Sequence, residues 1–291
     1  RQMCIRDREY DVLFLGDSIM NTGVFPMEMW EKYGIAGYNI ASYGNTLPIT
    51  YWALQNALDY AKPKLVVLDV QGVSKSYKLS GNSSDVHTAF DCYSISKTKI
   101  EALDDLMDDP NAVDDDGVAY VDMKWEYLFT LGKYHARWSE LTDTDFHPVY
   151  NREKGAKSVI AVADVGDYDL IDEDMATEES GQTGFVYLRK IIEDCQARGI
   201  DVLLVHLPYP ANEQQQMDAN AVAYIAEDYG LNYIDFVSMD QVADYVTDCF
   251  DAHEHLNPSG ARKVSDYLGR YITEHYDVDD HRGDAAYTRP G

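Results

Sequence analysis

The sequence is short of basic residues. Its 291 residues hold 24 Lys and Arg against 51 Asp and Glu, a formal net charge of −27 at pH 7. Nucleic acid is thereby disfavoured as a partner, because little is available to offset phosphate charge. The negative excess fits a well-hydrated surface and says little about fold. Cysteine is scarce too. Beyond Cys4, only Cys92, Cys195 and Cys249 occur, an odd number with no CxxC spacing. Neither a disulfide framework nor a zinc site is supported; buried free thiols are expected, with one disulfide plus a free thiol as the alternative. No GxGxxG or GxxxxGK[ST] pattern surrounds Gly16, which disfavours a phosphate-binding loop there. Internal repeats, low-complexity tracts and interdomain linkers are lacking as well. What is present is 45% apolar residues, enough at this length to bury a large core.

The two ends are set aside. Arg1 to Arg8, RQMCIRDR, reads as the translation of a sequencing-adapter sequence on a truncated metagenomic fragment. The expected organisation is one domain over 9–275, an insertion at about 75–182 and a tail over 276–291 that ends clipped.

Within the domain, Val12-Leu13-Phe14-Leu15 is a short apolar run stopped by Gly16, which predicts a buried strand of a parallel sheet. Pro26 to Gly34 has the punctuation of a helix, Pro near its start and Gly past its end. Ile35 to Ala41 predicts a second strand, Ser42 to Asn45 a turn, and Pro48 to Ala61 a helix. Leu65 to Val70 is a third strand, β-branched, continuous and bounded by turn signals. Strands alternating with helices imply βαβ units around a parallel sheet.

The middle of the chain differs. It carries acidic runs and few strand patterns, with helices expected over Ser94–Met107 and Val121–Leu141. The second of these places Trp125, Leu128, Phe129, Leu131, Tyr134 and Trp138 near one face, a packing face on the sheet or else a lid or substrate platform. His87, His135, Arg137 and His147 lack metal-ligand spacing and read as ordinary surface or core residues. The alternation then resumes with a helix over Gly184–Arg198, a strand over Asp201–Leu207, a helix over Asn212–Tyr229, a strand over Leu231–Phe236 and a last helix over Pro258–Tyr271.

Ser18 follows Gly16-Asp17 just past the first strand, where open α/β sheets bind ligands. A serine hydroxyl needs a base to act as a nucleophile, usually a His oriented by a carboxylate. The best candidate precedes the last helix, in Asp251-Ala252-His253-Glu254-His255-Leu256-Asn257-Pro258. The competing reading of Gly16-Asp17-Ser18 is a helix-capping turn, since Asp and Ser cap helices well. The competing reading of His255 is a loop residue bonded to backbone. Two His at i and i+2 could also hold a metal, but no metal is expected.

Gly16-Asp17-Ser18 after the first strand, Asn39 and Gly44 after the second, and His255-Leu256-Asn257 before the last helix resemble the SGNH/GDSL hydrolase superfamily. More narrowly the chain is similar to the membrane-anchored SGNH proteins related to polysaccharide O-acetyltransferases. The resemblance covers about residues 10–80 and 185–275. It implies a three-layer α/β/α, flavodoxin-like parallel sheet with a helical insertion. It assigns Ser18 as nucleophile, His255 as base and Asp251 as its orienting carboxylate, with the N–H groups of Ser18 and Gly44 as oxyanion donors. It implies no cofactor, a carbohydrate or acyl-ester substrate, a membrane-bound acyltransferase as partner, and an extracytoplasmic location with the anchor upstream of the sequence.

The sequence departs from the family pattern in three places. The usual Asp-x-x-His spacing would need an Asp at position 252, which is Ala252; Asp251 lies one further back, with Asp248 as a fallback. The usual Gly-x-Asn-Asp after the third strand is Gln71-Gly72-Val73-Ser74, so Gln71 or Asn45 would have to supply the amide donor. Ile19-Met20 stands where the motif has Leu. Asp251-x-His253 offers His253 as a second candidate base. These departures support an alternative function: a catalytically weak accessory protein that binds a polysaccharide or a membrane partner. A flavodoxin-like cofactor binder is a third reading.

Overall fold

The computed structural model describes residues 10–130, 139–140, 153–164, 169–177, 181–239, 242–251, 255–284 and 287. Five parallel strands form one sheet: β1 (Val12–Leu15), β2 (Gly37–Asn39), β3 (Leu65–Asp69), β4 (Asp201–His206) and β5 (Asn232–Asp235), in the order β2-β1-β3-β4-β5. After β2 the chain returns across β1 to start β3 on its other side. The crevice between the carboxyl ends of β1 and β3 is therefore the topological switch point, where such sheets bind ligands.

Nine helices accompany the sheet among the described residues. They are α1 (Ser18–Gly23), α2 (Pro26–Tyr33), α3 (Leu47–Leu58), α4 (Ser83–Phe90), α5 (Lys97–Leu106), α6 (Tyr120–Leu128), α7 (Thr183–Ala197), α8 (Glu213–Tyr229) and α9 (Pro258–His275). Successive strand residues point to opposite faces, so one strand feeds two cores. Leu13, Leu15, Val66, Leu68, Val202 and Leu204 pack against α3, α7 and α8. Val12, Phe14, Leu65, Val67, Leu203 and Val205 pack against α1, α2 and α9. The three-layer α/β/α fold expected from the resemblance is the fold observed.

Local signals explain most boundaries. Gly34 closes α2 and Gly230 closes α8, both in the left-handed conformation that costs glycine least. Asn212 and Gln215 form a capping box at the start of α8. The last helix runs four residues beyond the predicted Tyr271, to His275, because Ile272 continues its buried stripe.

The middle of the chain departs from expectation. Helix α4 was not foreseen; it is a short helix started by the Asn82 side chain, which accepts from the N–H groups of Ser84 and Asp85. Helix α6 ends at Leu128, and residues 131–138 and 141 of the longer predicted helix lie outside the described residues, with His135, Arg137 and His147. The aromatic face is also different. Tyr120, Met123 and Tyr127 are buried, whereas Trp125 (70% exposed) and Phe129 (50% exposed) stack on each other outside. Helices α4 to α6 make their own core, which reaches α3 through Ile49. Cys195 and Cys249 are buried free thiols, and Cys92 is a half-buried one.

Residues after α9 fold back onto the amino ends of the strands. Asp279 N–H and His281 Nε2 both contact the Asp11 carboxylate, and Lys64 pairs with Asp279 at 2.6 Å. Asp11, Asp279 and His281 could converge on a cation, but the Lys64 ammonium already lies among them, 3.7 Å from Asp11.

Candidate active site

The first side of the site is the turn from β1 into α1. Gly16 has φ +156°, and a Cβ there would stand 2.8 Å from the Asp69 Cβ and 2.9 Å from the Met20 Cβ. Only glycine lets β1 pass this close to the end of β3. Asp17 then caps α1, its Oδ1 accepting from Ile19 N–H at 2.9 Å. The capping reading of Asp17 therefore holds, and the cap is what presents Ser18 as the first helical residue. Ser18 is half-buried, and among the described residues its hydroxyl makes no hydrogen bond.

The second side is the loop after β2. Gly44 is left-handed, at φ +66°, and lies against the Asp85 carboxylate of α4. No hydrogen bond among the described residues occupies its N–H. Asn45 ties this loop to the Ser18 turn, its Nδ2 donating to the Gly16 carbonyl at 3.1 Å. Its amide N–H is thus committed to backbone. Asn39 is buried and structural: it donates to the carbonyls of Met20 and Val24 and so fixes the far end of α1.

The third side is the stretch before α9. Cys249 and Leu256 pair as an antiparallel bridge, and Phe250 N–H donates to the His255 carbonyl. The segment is a narrow hairpin, so residues four apart face each other across it. His255 Nδ1 consequently reaches Asp251 Oδ2 at 2.7 Å, and Asp251 Oδ1 accepts from the His255 N–H at 3.2 Å. The ring is sandwiched between Phe250 and Tyr43, at centroid distances of 5.3 and 5.8 Å. Its Nε2 is buried and has no hydrogen-bond partner. Tyr43 neighbours Gly44, so this stacking joins the His hairpin to the β2 loop. Asn257 anchors the hairpin base by donating to the carbonyls of Thr247, Cys249 and Ala161 while its Oδ1 caps α9.

The remaining candidates fall elsewhere. Asp248 is buried beneath the hairpin and pairs with Lys263 at 2.6 Å, away from any imidazole nitrogen. Burial works against its ionisation, but the Asp244 N–H and the Lys263 ammonium outweigh this and lower its pKa. Gln71, with its amide turned to satisfy its neighbours, donates to both Asp17 oxygens, at 2.7 and 3.1 Å. His253 lies outside the described residues.

Sequence reasoning passed over Tyr43, Phe250 and Asp69. Asp69 ends β3 and is 2% exposed. Burial, and then the charge of Asp17, push its pKa well above the ordinary carboxylate value. An acidic residue closing the most apolar strand was the available signal. A strap over residues 153–164 was also missed. It bonds Asn39 and Asn21 at one end and Cys249 and Asn257 at the other, and it sets the Lys157 ammonium 4.3 Å from the centroid of the Tyr43 ring.

The Ser18 turn after β1, the Gly44 loop after β2 and the Asp251–His255 pair before the last helix thus lie together at one end of a β2-β1-β3-β4-β5 sheet. The arrangement is a three-layer α/β/α fold around a parallel sheet. No protein-family model matches the chain, and no curated protein does. Solved structures similar to it include the psychrotrophic esterase EstA from Pseudoalteromonas, at 12% identity and TM-score 0.44, covering 92% of this chain and 98% of that one. A GDSL-like lipase from Bacteroides thetaiotaomicron is 12% identical with TM-score 0.37, covering 92% and 89%. An acetyl xylan esterase from Butyrivibrio proteoclasticus is 11% identical with TM-score 0.35, covering 92% and 64%. These likenesses concern the path of the chain.

Proposed function

We propose that the protein is a serine-dependent acyl-ester hydrolase or O-acyltransferase with Ser18 as nucleophile. The observation that carries this reading is the state of His255. Its Nδ1 is engaged by Asp251 while its buried Nε2 has no partner, at the end of the sheet where the unbonded Ser18 hydroxyl stands. With the Nδ1 proton directed at Asp251, Nε2 is the basic nitrogen.

In the first half-reaction Ser18 Oγ attacks the ester carbonyl carbon and its proton passes to His255 Nε2. The oxyanion that forms accepts from the N–H groups of Ser18 and Gly44, donors worth about 3–4 kcal/mol each in such sites. Collapse expels the alcohol, which leaves with the proton from His255, and Ser18 carries the acyl group. Water, or the hydroxyl of an acceptor, then attacks the acyl-serine with His255 again as base. We assign a carbohydrate as the ester or acceptor, an extracytoplasmic setting and a membrane acyltransferase as partner, in keeping with the resemblance of the sequence.

The second reading, a catalytically weak accessory protein, is favoured by one observation. The amide of Gln71 is turned to Asp17, and that of Asn45 donates to the Gly16 carbonyl, so neither is committed to an oxyanion. Hydrolysis of p-nitrophenyl acetate separates the two. The enzyme reading expects turnover that Ser18→Ala and His255→Ala each reduce by about a thousandfold or more. Equal, negligible rates in three folded proteins would favour the accessory reading.

A further inference from the structure

Ser18 and His255 stand on two elements more than two hundred positions apart in the chain, and the strap over residues 153–164 is bonded to both elements. Its near end meets α1. Asn21, one turn past Ser18 and 1% exposed, donates through Nδ2 to the carbonyls of Gly155 and Ala41, at 3.1 and 3.0 Å. The Asn21 carbonyl in turn accepts from the Lys157 N–H at 2.8 Å. Gly155 is left-handed, at φ +98°, and a Cβ there would run into the Asn39 carbonyl oxygen, so glycine alone lets the strap lie this close to β2. The far end meets the hairpin. The Ala163 N–H donates to the Cys249 carbonyl at 2.9 Å, and Asn257 Nδ2 donates to the Ala161 carbonyl at 3.2 Å. In between, the Lys157 ammonium covers the ring of Tyr43, which also stacks on His255.

A helix of six residues, such as α1, does not hold itself in place. Ile19 and Met20 of α1 share an apolar core with Val264 and Leu268 of α9, the helix that follows the hairpin. That packing presses the elements together, but apolar burial is non-directional and leaves room to slide. Hydrogen bonds at both ends of a short chain do not. Lys157 to Ala163 is six residue steps, a reach of at most about 22 Å. The strap therefore caps how far the hairpin can drift from α1. Its middle has the exposure of a tether rather than of a packed segment: Ile160 is 92% exposed and Val162 69%.

We propose that the strap is a clasp that holds Ser18 and His255 in line for proton transfer, with Asn21 and Asn257 as the positioning residues through which it acts. It works on the separation of the reacting groups, not on the ester. The purpose rests on Ser18 and His255 as the reacting pair; the hold of the strap on their two elements does not.

The test lengthens the strap. Gly-Ser-Gly-Ser inserted between Ser158 and Val159 adds about 13 Å of slack and leaves every anchoring residue in place. Loop closure grows costlier only slowly with length, so the melting temperature should fall by less than about 4 °C. With p-nitrophenyl acetate, kcat should fall about tenfold to a hundredfold with KM nearly unchanged, because the reacting atoms are misplaced while ester binding is not. Ile160→Ser combined with Val162→Ser, at native length, should keep native kcat. A one-residue insertion at the same place is the milder second variant. Native kcat in the lengthened protein, a loss confined to KM, an equal loss in the double serine variant, or failure of both insertions to fold overturns the proposal. If the wild type itself turns over no p-nitrophenyl acetate, the enzyme reading fails and amide exchange decides the clasp alone. The hydrogen-bonded amides of Asn21, Phe250 and Asn257 should then exchange together about threefold to tenfold faster in the lengthened protein, and unchanged exchange overturns the clasp.

Discussion

Asp251 and His255 face each other across the hairpin before α9, with 2.7 Å between Oδ2 and Nδ1. The four-residue spacing, one longer than the motif it resembles, is accommodated because the Cys249–Leu256 bridge and the Phe250 N–H bond to the His255 carbonyl hold the two stretches side by side. The same carboxylate also accepts from the His255 N–H, which fixes ring and backbone together. If that pairing sets the imidazole tautomer, Asp251→Asn should keep the fold and lower kcat for p-nitrophenyl acetate by about 10²- to 10⁴-fold. Steady-state kinetics beside a thermal melt would check this. A variant with native kcat would remove Asp251 from the mechanism.

Gly16 makes a second prediction. A methyl group at this position would stand 2.8 Å from one side-chain carbon and 2.9 Å from another. Gly16→Ala should destabilise the protein by about 1–3 kcal/mol through overpacking. Activity should fall further than stability explains, because the displaced turn carries Ser18. Urea melts and kinetics on the same preparation give both quantities.

Asp69 gives a pH prediction. Burial and the neighbouring Asp17 raise its pKa in the folded state above the ordinary carboxylate value. The folded protein therefore holds a proton that the unfolded chain releases. Stability from this group is present in acid and declines as pH rises from the unfolded value toward the folded one. Asp69→Asn keeps a neutral side chain of the same shape and removes the decline. Its stability relative to wild type should increase between about pH 5 and pH 8, read as midpoints of denaturant unfolding. A constant difference across that range would contradict the assignment.

Asp248 has the opposite sign. Although burial opposes its ionisation, the Asp244 N–H and Lys263 depress its pKa on balance. Its contribution is present above the unfolded carboxylate value and lost as pH falls through the folded one. Lys263→Met should cost about 1–2 kcal/mol near pH 7, tempered because the lysine is half-exposed, and less near pH 3. Denaturant melts at the two pH values test this, and an equal loss at both would refute it.

The parts of the fold that sequence made legible are those that one residue pattern decides. Val12–Leu15 and residues 65–68 are apolar on both faces because helices cover both sides of the sheet, and such runs stand out. Pro26 and Gly34 bracket α2 by their backbone preferences alone. The aromatic stripe of the insertion misled, since Trp125 and Phe129 stack outside while Tyr120 and Tyr127 fill the core. Periodicity locates a face but not the side on which the rest of the chain lies. The site residues that went unseen depend on contacts between distant segments. Tyr43 matters because it stacks on a residue more than two hundred positions later, and Asp69 because it meets Asp17.

The most direct test of the central claim is covalent labelling with a fluorophosphonate, followed by intact mass and peptide mapping. Attack by Ser18 Oγ on phosphorus with loss of fluoride should leave one phosphonyl adduct, mapped to Ser18, absent in Ser18→Ala and much slower in His255→Ala. A folded wild-type protein that stays unlabelled, or that carries the adduct on another residue, would contradict the assignment of Ser18 as nucleophile.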